Sequence, residues 1–196
     1  AKNVAIICPT KNQPNKVVRL LTSISALHEK PHQIIVADGG HNLKPIIAPF
    51  SKKLQITCLY CPEVGQILQR NHAHKHLKKK IKIVIHLDDD ATLSTNAITE
   101  MLALWNKESR KKKKPIAGIS FNVQDLPKTK PSVLRKLFFL QTEPLGDVLK
   151  SGYAVPYMPT KKNISTSWLV GGATAWSRDV IDNFVHPVNF PTSWAV

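Results

Sequence analysis

The chain has 196 residues, of which 42% are apolar and 21% are charged. This length suits one domain with a buried core, and the composition excludes an intrinsically disordered chain. Lysine and arginine number 28 against 13 acidic residues, a net charge of +15, which favours anionic partners without identifying them. Three cysteines, an odd number, argue against a disulfide framework and for a reducing compartment.

Short apolar runs alternate with longer amphipathic runs over the first part of the chain. Five runs have the length of buried strands: Val4–Cys8, Gln33–Ala37, Leu54–Leu59, Ile81–Leu87 and Pro115–Phe121. The runs between them have helical spacing: Val17–Leu27, a shorter piece at Leu43–Phe50, Gly65–Leu77 and Thr95–Trp105. This alternation predicts βαβ units and an α/β fold with a parallel sheet flanked by helices.

The regular pattern fades between Gln124 and Thr166, where prolines punctuate the chain and Leu134–Leu140 is the one apolar helical patch. We interpret this segment as a long insert. Regularity returns at Ser167–Val170, and a glycine segment and a helical stretch over Arg178–Phe184 follow. No apolar run approaches 18 residues, so we expect that this chain does not span a membrane by itself.

Three polar clusters follow predicted strands. They are Pro9–Asn12, Asp38–Gly40 and Asp88–Asp90. Ligands of open α/β sheets bind outside the carboxyl ends of the strands, so all three clusters are predicted at the ligand edge. Asp88 and Asp90 would share one face of an extended strand and repel each other unless a cation is present. Mg²⁺ or Mn²⁺, which prefer oxygen ligands and bind substrate phosphates, would relieve that repulsion. The alternative is a solvated turn that caps the next helix.

Glycine-rich phosphate loops are absent. No G-x-G-x-x-G follows the first strand, and no G-x-x-x-x-G-K-[ST] occurs. Asp38 matches in placement the ribose-binding acid of dinucleotide folds, but the phosphates would have to be held by metal and side chains.

Cysteine and histidine motifs offer a second kind of metal or redox site. Cys58 and Cys61 form a C-x-x-C, but Cys58 falls in a strand-like run and no second ligand pair lies nearby, so we interpret both as structural thiols. His72, His74 and His76 have no adjacent acid in sequence, and we interpret them as solvated or half-buried.

Five motifs in this order resemble the nucleotide-sugar glycosyltransferases of the GT-A type, most closely the inverting enzymes of family 2. Val4–Asn12 resembles the opening strand and P-T-x-N-like loop, and Ile34–Gly40 resembles V-V-D-D-G-S with Gly39 where a second Asp is usual. Gly65–Asn71 resembles G-x-x-x-A-R-N with Gln69 in place of Ala. Leu87–Ala91 resembles the D-x-D region, and Val170–Arg178 resembles the acceptor-side glycine segment.

The resemblance implies a Rossmann-like α/β fold with a parallel or mixed sheet flanked by helices, and it implies a role for each matching residue. Pro9, Thr10, Asn12 and Asp38 would border the base and ribose, and Gly65 and Arg70 would line the same pocket. Asp88 would contact ribose or metal, and Asp90 would hold the metal, Mn²⁺ or Mg²⁺, that bridges the diphosphate. Asp89, Gly171 and Gly172 complete the predicted substrate-binding residues.

The resemblance also implies an activity: transfer of a sugar, with inversion and metal dependence, from a nucleotide-sugar to a saccharide or lipid-linked acceptor in polysaccharide biosynthesis. UDP-sugar is the favoured donor. Residues 1–122 would form the nucleotide-sugar-binding half and residues 123–196 an acceptor-side half. The family's acidic pair after the glycine segment has no match, so we expect the catalytic base beyond Val196.

Two alternatives come from other classes: a nucleotidyltransferase or pyrophosphorylase, and a basic nucleic-acid-binding module. The first lacks its glycine-rich signature after strand one, and the second lacks a recognisable reading motif, so we expect no nucleic-acid partner. We predict a cytoplasmic protein. Lys78–Lys80 and Arg110–Lys114 are either solvated loops or a peripheral contact with an anionic inner membrane face.

Overall fold

The computed structural model describes residues 1–40, 42–63, 65–111, 115–124, 133, 137–138, 146–150, 152–155 and 162–184. Within this part, six strands form one sheet: β1 (Val4–Thr10), β2 (Gln33–Asp38), β3 (Ile56–Tyr60), β4 (Ile83–Leu87), β5 (Gly118–Ser120) and β6 (Ala173–Ser177). Their order across the sheet is β3-β2-β1-β4-β6-β5. The helices are α1 (Pro14–Ser25), α2 (Lys44–Ile47) with a 3₁₀ turn at Ala48–Phe50, α3 (Gln66–His74), α4 (Ala97–Lys111) and α5 (Arg178–Asn183).

The sheet is parallel at its centre and antiparallel where β6 enters. β1 pairs in parallel with β2 and β4, and β2 pairs in parallel with β3. β6 pairs antiparallel with β4, with Ile85 opposite Ala175. Every residue of β1, β2 and β4 is buried, which explains why their sequences are apolar runs rather than alternating patterns. The predicted α/β fold with a mixed sheet is confirmed.

Several predicted boundaries were wrong. Helix α3 ends at His74 rather than Leu77, and β5 spans three residues rather than seven. Helix α4 continues past Trp105 to Lys111, because lysine, glutamate and arginine sustain a helix without an apolar stripe. The predicted helical patch at Leu134–Leu140 lies outside the described residues, apart from exposed Leu137 and Phe138.

The described residues form two compact units. One comprises Ala1–Ile119 together with the residues from Gly171 onward and contains the parallel sheet. The other lies within Ser120–Val170, where Val148 and Ala154 form an isolated antiparallel bridge and the Trp168 indole donates to the carbonyl of Val155 at 3.1 Å. No helix in the described ranges is long and apolar enough to cross a bilayer. The division into donor and acceptor halves at residue 122 stays a prediction.

The central position of β4 gives a stability prediction. Ile85 is fully buried and lies opposite Ile6 of β1 and Ala175 of β6. Truncation of Ile85→Ala is expected to lower the free energy of unfolding by about 2–5 kcal/mol in urea denaturation, because it leaves a cavity in the core that packs on the sheet face. Val18→Ala, on the exposed side of α1, is the control and should change it by less than about 0.5 kcal/mol. Equal losses in the two variants would contradict the central placement of β4.

All three cysteines are free thiols in buried or half-buried positions. Burial raises the pKa of Cys61 to about 11 and also raises the pKa of Cys58. A redox C-x-x-C needs a lowered thiol pKa, so these shifts favour the structural interpretation.

Thiol accessibility checks this interpretation. With Ellman's reagent at mildly alkaline pH, we expect Cys8 and Cys61 of the native chain to react at least about a thousandfold more slowly than in denaturant, because the thiolate is scarce and access is blocked. Cys58, which is half-buried, should react at an intermediate rate. Rapid native reaction of Cys61 would contradict this interpretation.

Candidate active site

The carboxyl ends of β1, β2 and β4 meet at one edge of the sheet, as their parallel pairing requires. A cleft of about 290 Å³ opens there. The residues that line it are Pro9, Thr10, Lys11, Gln66, Gln69, Asp88, Asp89 and Asp90. The predicted ligand edge therefore brings the loop after β1, the start of α3 and the three aspartates together.

Asp88 is held by donors from α3. The Arg70 Nη2 lies 2.9 Å from Asp88 Oδ1, and the Gln66 amide donates to the same oxygen at 2.6 Å. Arg70 is only 6% exposed and also donates to the carbonyl of Gly171 at 3.2 Å. Burial raises the pKa of Asp88 while the Arg70 guanidinium opposes that shift, and burial lowers the pKa of Arg70. Arg70 thus connects α3, the end of β4 and the glycine segment before β6.

Asp89 and Asp90 share the ammonium of Lys16, and Asp89 also accepts a hydrogen bond from Thr10. The Thr10 hydroxyl donates to Asp89 Oδ2 at 2.7 Å. The ammonium of Lys16, one turn into α1, lies 3.8 Å from Asp89 Oδ1 and 3.6 Å from Asp90 Oδ2. The Asp90 side chain is 61% exposed and is the carboxylate most open to solvent.

The three aspartates present oxygen donors that a divalent metal ion could use. Within the described ranges, no group of three or more His, Cys, Asp or Glu side chains stands close enough to hold a metal. Mg²⁺ and Mn²⁺ sites that handle phosphates commonly use one or two carboxylates and take the remaining ligands from substrate and water. The Ala91 amide donates to the Asp88 carbonyl at 3.1 Å, so the aspartates form a turn beyond β4, and the prediction that Asp88 and Asp90 share a face of an extended strand was wrong. Both still line the cleft and offer hard oxygen donors, which fits an ion that takes its other ligands from substrate and water.

Two glycines of the predicted site are required by close approach or by backbone conformation. Gly65, which precedes α3, has a φ of 146°, a value that residues with a Cβ rarely adopt. A Cβ at Gly172 would collide with the Asp88 carboxylate and lie 2.7 Å from its Cγ, whereas a Cβ at Gly171 would meet nothing within 4 Å. The Asp88 amide also donates to the Gly172 carbonyl at 3.0 Å, so the glycine segment lies directly against the aspartates.

Asp38 and Asn12 lie beside Gly40 rather than among the residues that line the cleft. Asp38 is 2% exposed, and its Oδ1 accepts from the Gly40 amide at 2.9 Å. Asn12 is exposed with a φ of 55°, and a Cβ at Gly40 would lie 2.8 Å from the Asn12 backbone nitrogen. Their predicted contacts with base and ribose stay predictions.

Sequence reasoning missed three polar residues of this edge: Lys16, Gln66 and Gln69. The Gln69 amide is buried and donates at 2.7 Å to the carbonyls of both Thr10 and Ala37, which bridges the ends of β1 and β2. Its replacement of the family's Ala was a visible signal, but only the fold shows that it serves these two carbonyls. Nothing in the sequence pairs Lys16 with aspartates some 70 residues away.

The three histidines lie at the end of α3 and just after it. His72 and His74 are half-buried and His76 is exposed, in agreement with their interpretation. The Nε2 atoms of His74 and buried His86 are 2.9 Å apart, so His74 is satisfied by a neighbouring imidazole.

The chain was compared with known proteins. S. aureus TarS 1–349 shares 15% identity, with 98% of this chain and 52% of TarS 1–349 covered at a TM-score of 0.64. TarS 1–349 in complex with UDP also shares 15% identity, with 92% of this chain and 48% of that chain covered at a TM-score of 0.61. The mannosyltransferase PcManGT from Pyrobaculum calidifontis, in complex with GDP-Man and Mn²⁺, shares 17% identity. The comparison covers 92% of this chain and 46% of PcManGT at a TM-score of 0.58.

These likenesses show a shared fold, and the chain spans about half the length of these solved structures. No curated protein matches the chain. The family model described as glycosyl transferase family 2 matches residues 5–111, which is more than half of the chain and includes β1 to α4. The chain therefore belongs to glycosyl transferase family 2 and has a GT-A fold.

Proposed function

We propose that this chain binds a nucleoside-diphosphate sugar, with UDP favoured, and transfers the sugar to a saccharide or lipid-linked acceptor of polysaccharide biosynthesis. The observation that carries this proposal is the group of three aspartates at the end of β4, which opens on the cleft beside Thr10 and Lys11. If a diphosphate occupies this cleft, a cation must offset the charge of the adjacent carboxylates.

Asp88 and Asp90 would hold the divalent ion, Mn²⁺ or Mg²⁺. When bound, such an ion neutralises charge on the diphosphate as it leaves. PcManGT was crystallised with GDP-Man and Mn²⁺, and TarS 1–349 with UDP, which supports both a nucleotide donor and a metal in related folds. The lysines at the edge, Lys11 in the cleft lining and Lys16 near Asp89, add positive charge where the diphosphate would lie.

The neighbouring polar residues hold the aspartates in position. Arg70 and Gln66 fix Asp88 Oδ1, and the Thr10 hydroxyl fixes Asp89. In transfer with inversion, the acceptor oxygen forms a bond to the anomeric carbon as the bond to the diphosphate oxygen breaks, and the acceptor proton passes to a base. The Asp182 carboxylate accepts from the Arg178 guanidinium at 2.7 Å. We therefore assign Asp182 to an ion pair within α5 and not to the role of catalytic base.

The two-part organisation belongs to the same proposal. Residues 1–122 would bind the donor, and residues 123–196 would contribute to the acceptor side through Gly171 and Gly172. The odd number of cysteines favours a cytoplasmic protein, and the excess of lysine favours peripheral contact with an anionic membrane face.

Nucleotide binding tests the proposed donor site. Calorimetric titration of UDP, GDP, CDP and dTDP, with and without Mn²⁺, should show metal-dependent binding of one nucleotide, with UDP expected. Asp90→Ala should weaken that binding by about 10–100-fold, the usual effect of losing a group that supports a metal. Asp179→Ala, an exposed aspartate on α5, removes the same charge elsewhere and should leave it unchanged. Binding that is indifferent to metal and to Asp90 would overturn the assignment.

The adjacent glycines provide a matched pair for Asp88. In Gly172→Ala the new methyl group must displace the Asp88 carboxylate, so metal-dependent nucleotide affinity should fall about tenfold or more and stability by about 1–3 kcal/mol. Gly171→Ala points into open space and should retain nucleotide affinity within about twofold. The two variants are compared by calorimetry and thermal unfolding. Equal affinities would show that Asp88 is not part of the nucleotide site.

A further inference from the structure

Lysines precede each of the four parallel strands. They are Lys2 before β1, Lys30 before β2, Lys52 and Lys53 before β3, and Lys78, Lys79, Lys80 and Lys82 before β4. All eight are exposed. We call this set the basic edge.

The fold brings these lysines together because the amino ends of parallel strands share one edge of the sheet. Backbone hydrogen bonds connect the four segments: the His32 amide donates to the Val4 carbonyl, the Lys82 amide to that of Asn3 and the Ile34 amide to that of Gln55, each at 2.8 Å. The Lys78 ammonium donates to the Gln55 side chain at 3.3 Å. The basic edge is therefore one continuous surface at the end of the sheet opposite the aspartates.

A recess of about 230 Å³ lies within this surface. It is lined by Lys2, Lys30 and Lys53 together with His32 and Gln55. Desolvation lowers the pKa of His32, and the ammonium charges of Lys80 and Lys78 lower it further. An anionic group of phosphate size would meet several ammonium groups there.

Little negative charge opposes the basic edge. In the segments 1–3, 28–32, 51–55 and 75–82 the one acidic residue is Glu29, whose carboxylate lies 3.0 Å from the amino group of Ala1. Lysines near a helix C-terminus also stabilise the helix dipole, and this accounts for Lys30, which donates to the Leu27 carbonyl beyond α1. Helix-dipole stabilisation does not account for Lys2, Lys52, Lys53 and Lys82, because none of them directly follows a helix of eight or more residues.

We propose that the basic edge binds the anionic surface of a phospholipid bilayer. Each lysine near an anionic membrane surface contributes about 1 kcal/mol to binding, and a planar array of lipid phosphates matches a set of separate ammonium charges. A nucleic-acid surface would instead be expected to carry arginine forks or aromatic side chains that stack on bases. The four segments contain no arginine, phenylalanine, tyrosine or tryptophan.

This placement determines how the cleft faces the bilayer. Strands of five to seven residues at about 3.3 Å per residue separate the two edges by roughly 17–23 Å. The cleft then opens away from the lipid. If the proposed transferase activity is right, on which this step alone rests, the acceptor sugar is presented in solution or at the outer end of a long chain rather than within the headgroup layer.

Vesicle binding of the 196-residue chain tests the proposal. We expect co-sedimentation with vesicles of phosphatidylcholine mixed with phosphatidylglycerol, no binding to pure phosphatidylcholine, and weakening as salt is raised. The triple variant K78Q/K79Q/K80Q should bind about a hundredfold more weakly, at about fivefold for each lysine. The triple variant K44Q/K150Q/K162Q has the same change of net charge outside the four segments and should bind nearly as the unchanged chain does.

Several outcomes would overturn the proposal. They are no binding to anionic vesicles, equal weakening in the two triple variants, or displacement from vesicles by single-stranded RNA whose own binding requires Lys78–Lys80. The last would assign the surface to nucleic acid. Metal-dependent nucleotide titration of K78Q/K79Q/K80Q should match that of the unchanged chain, so a failure of lipid binding is distinguishable from a failure of the donor site.

Discussion

The ion pair between Arg70 on α3 and Asp88 at the end of β4 organises the candidate site. Arg70 is almost fully buried, and a buried guanidinium without a counter-charge is strongly destabilising. Asp88 supplies that charge at 2.9 Å, and the Gly171 carbonyl accepts a further hydrogen bond. The position of Asp88 therefore follows from the need to satisfy Arg70, and the cleft forms around it.

The same pair explains why a distant segment of the chain joins the sheet where it does. β6 follows Gly171 and Gly172 directly and pairs antiparallel with β4. The close approach of Gly172 to the Asp88 carboxylate leaves no room for a side chain. A glycine pair before β6, a buried arginine on α3 and an aspartate after β4 are thus three parts of one steric and electrostatic arrangement.

The central parallel strands could be predicted because their signal is local: a strand buried on both faces must be an apolar run. The ligand edge followed from topology, since parallel strands end on the same side. The place of β6 could not be predicted, because Ala-Thr-Ala-Trp-Ser is short and carries no information about which strand it will pair with. The roles of Gln69 and Lys16 could not be predicted for a related reason. Gln69 contacts backbone carbonyls and Lys16 contacts carboxylates, and only the folded chain brings these groups near.

The opposed charges at the two edges of the sheet have different physical meanings. At the carboxyl edge three aspartates lie in a chain of net charge +15, and Lys16 and Arg70 neutralise them only in part. A field of that sign attracts anionic ligands from a distance, whereas the aspartates repel them at close range. Both effects favour the same ligand only when a cation accompanies it, as a divalent ion accompanies a nucleoside diphosphate. At the amino edge the lysines have no such local opposition, so attraction persists to contact and suits a surface of fixed negative charge rather than a small ligand held in one orientation.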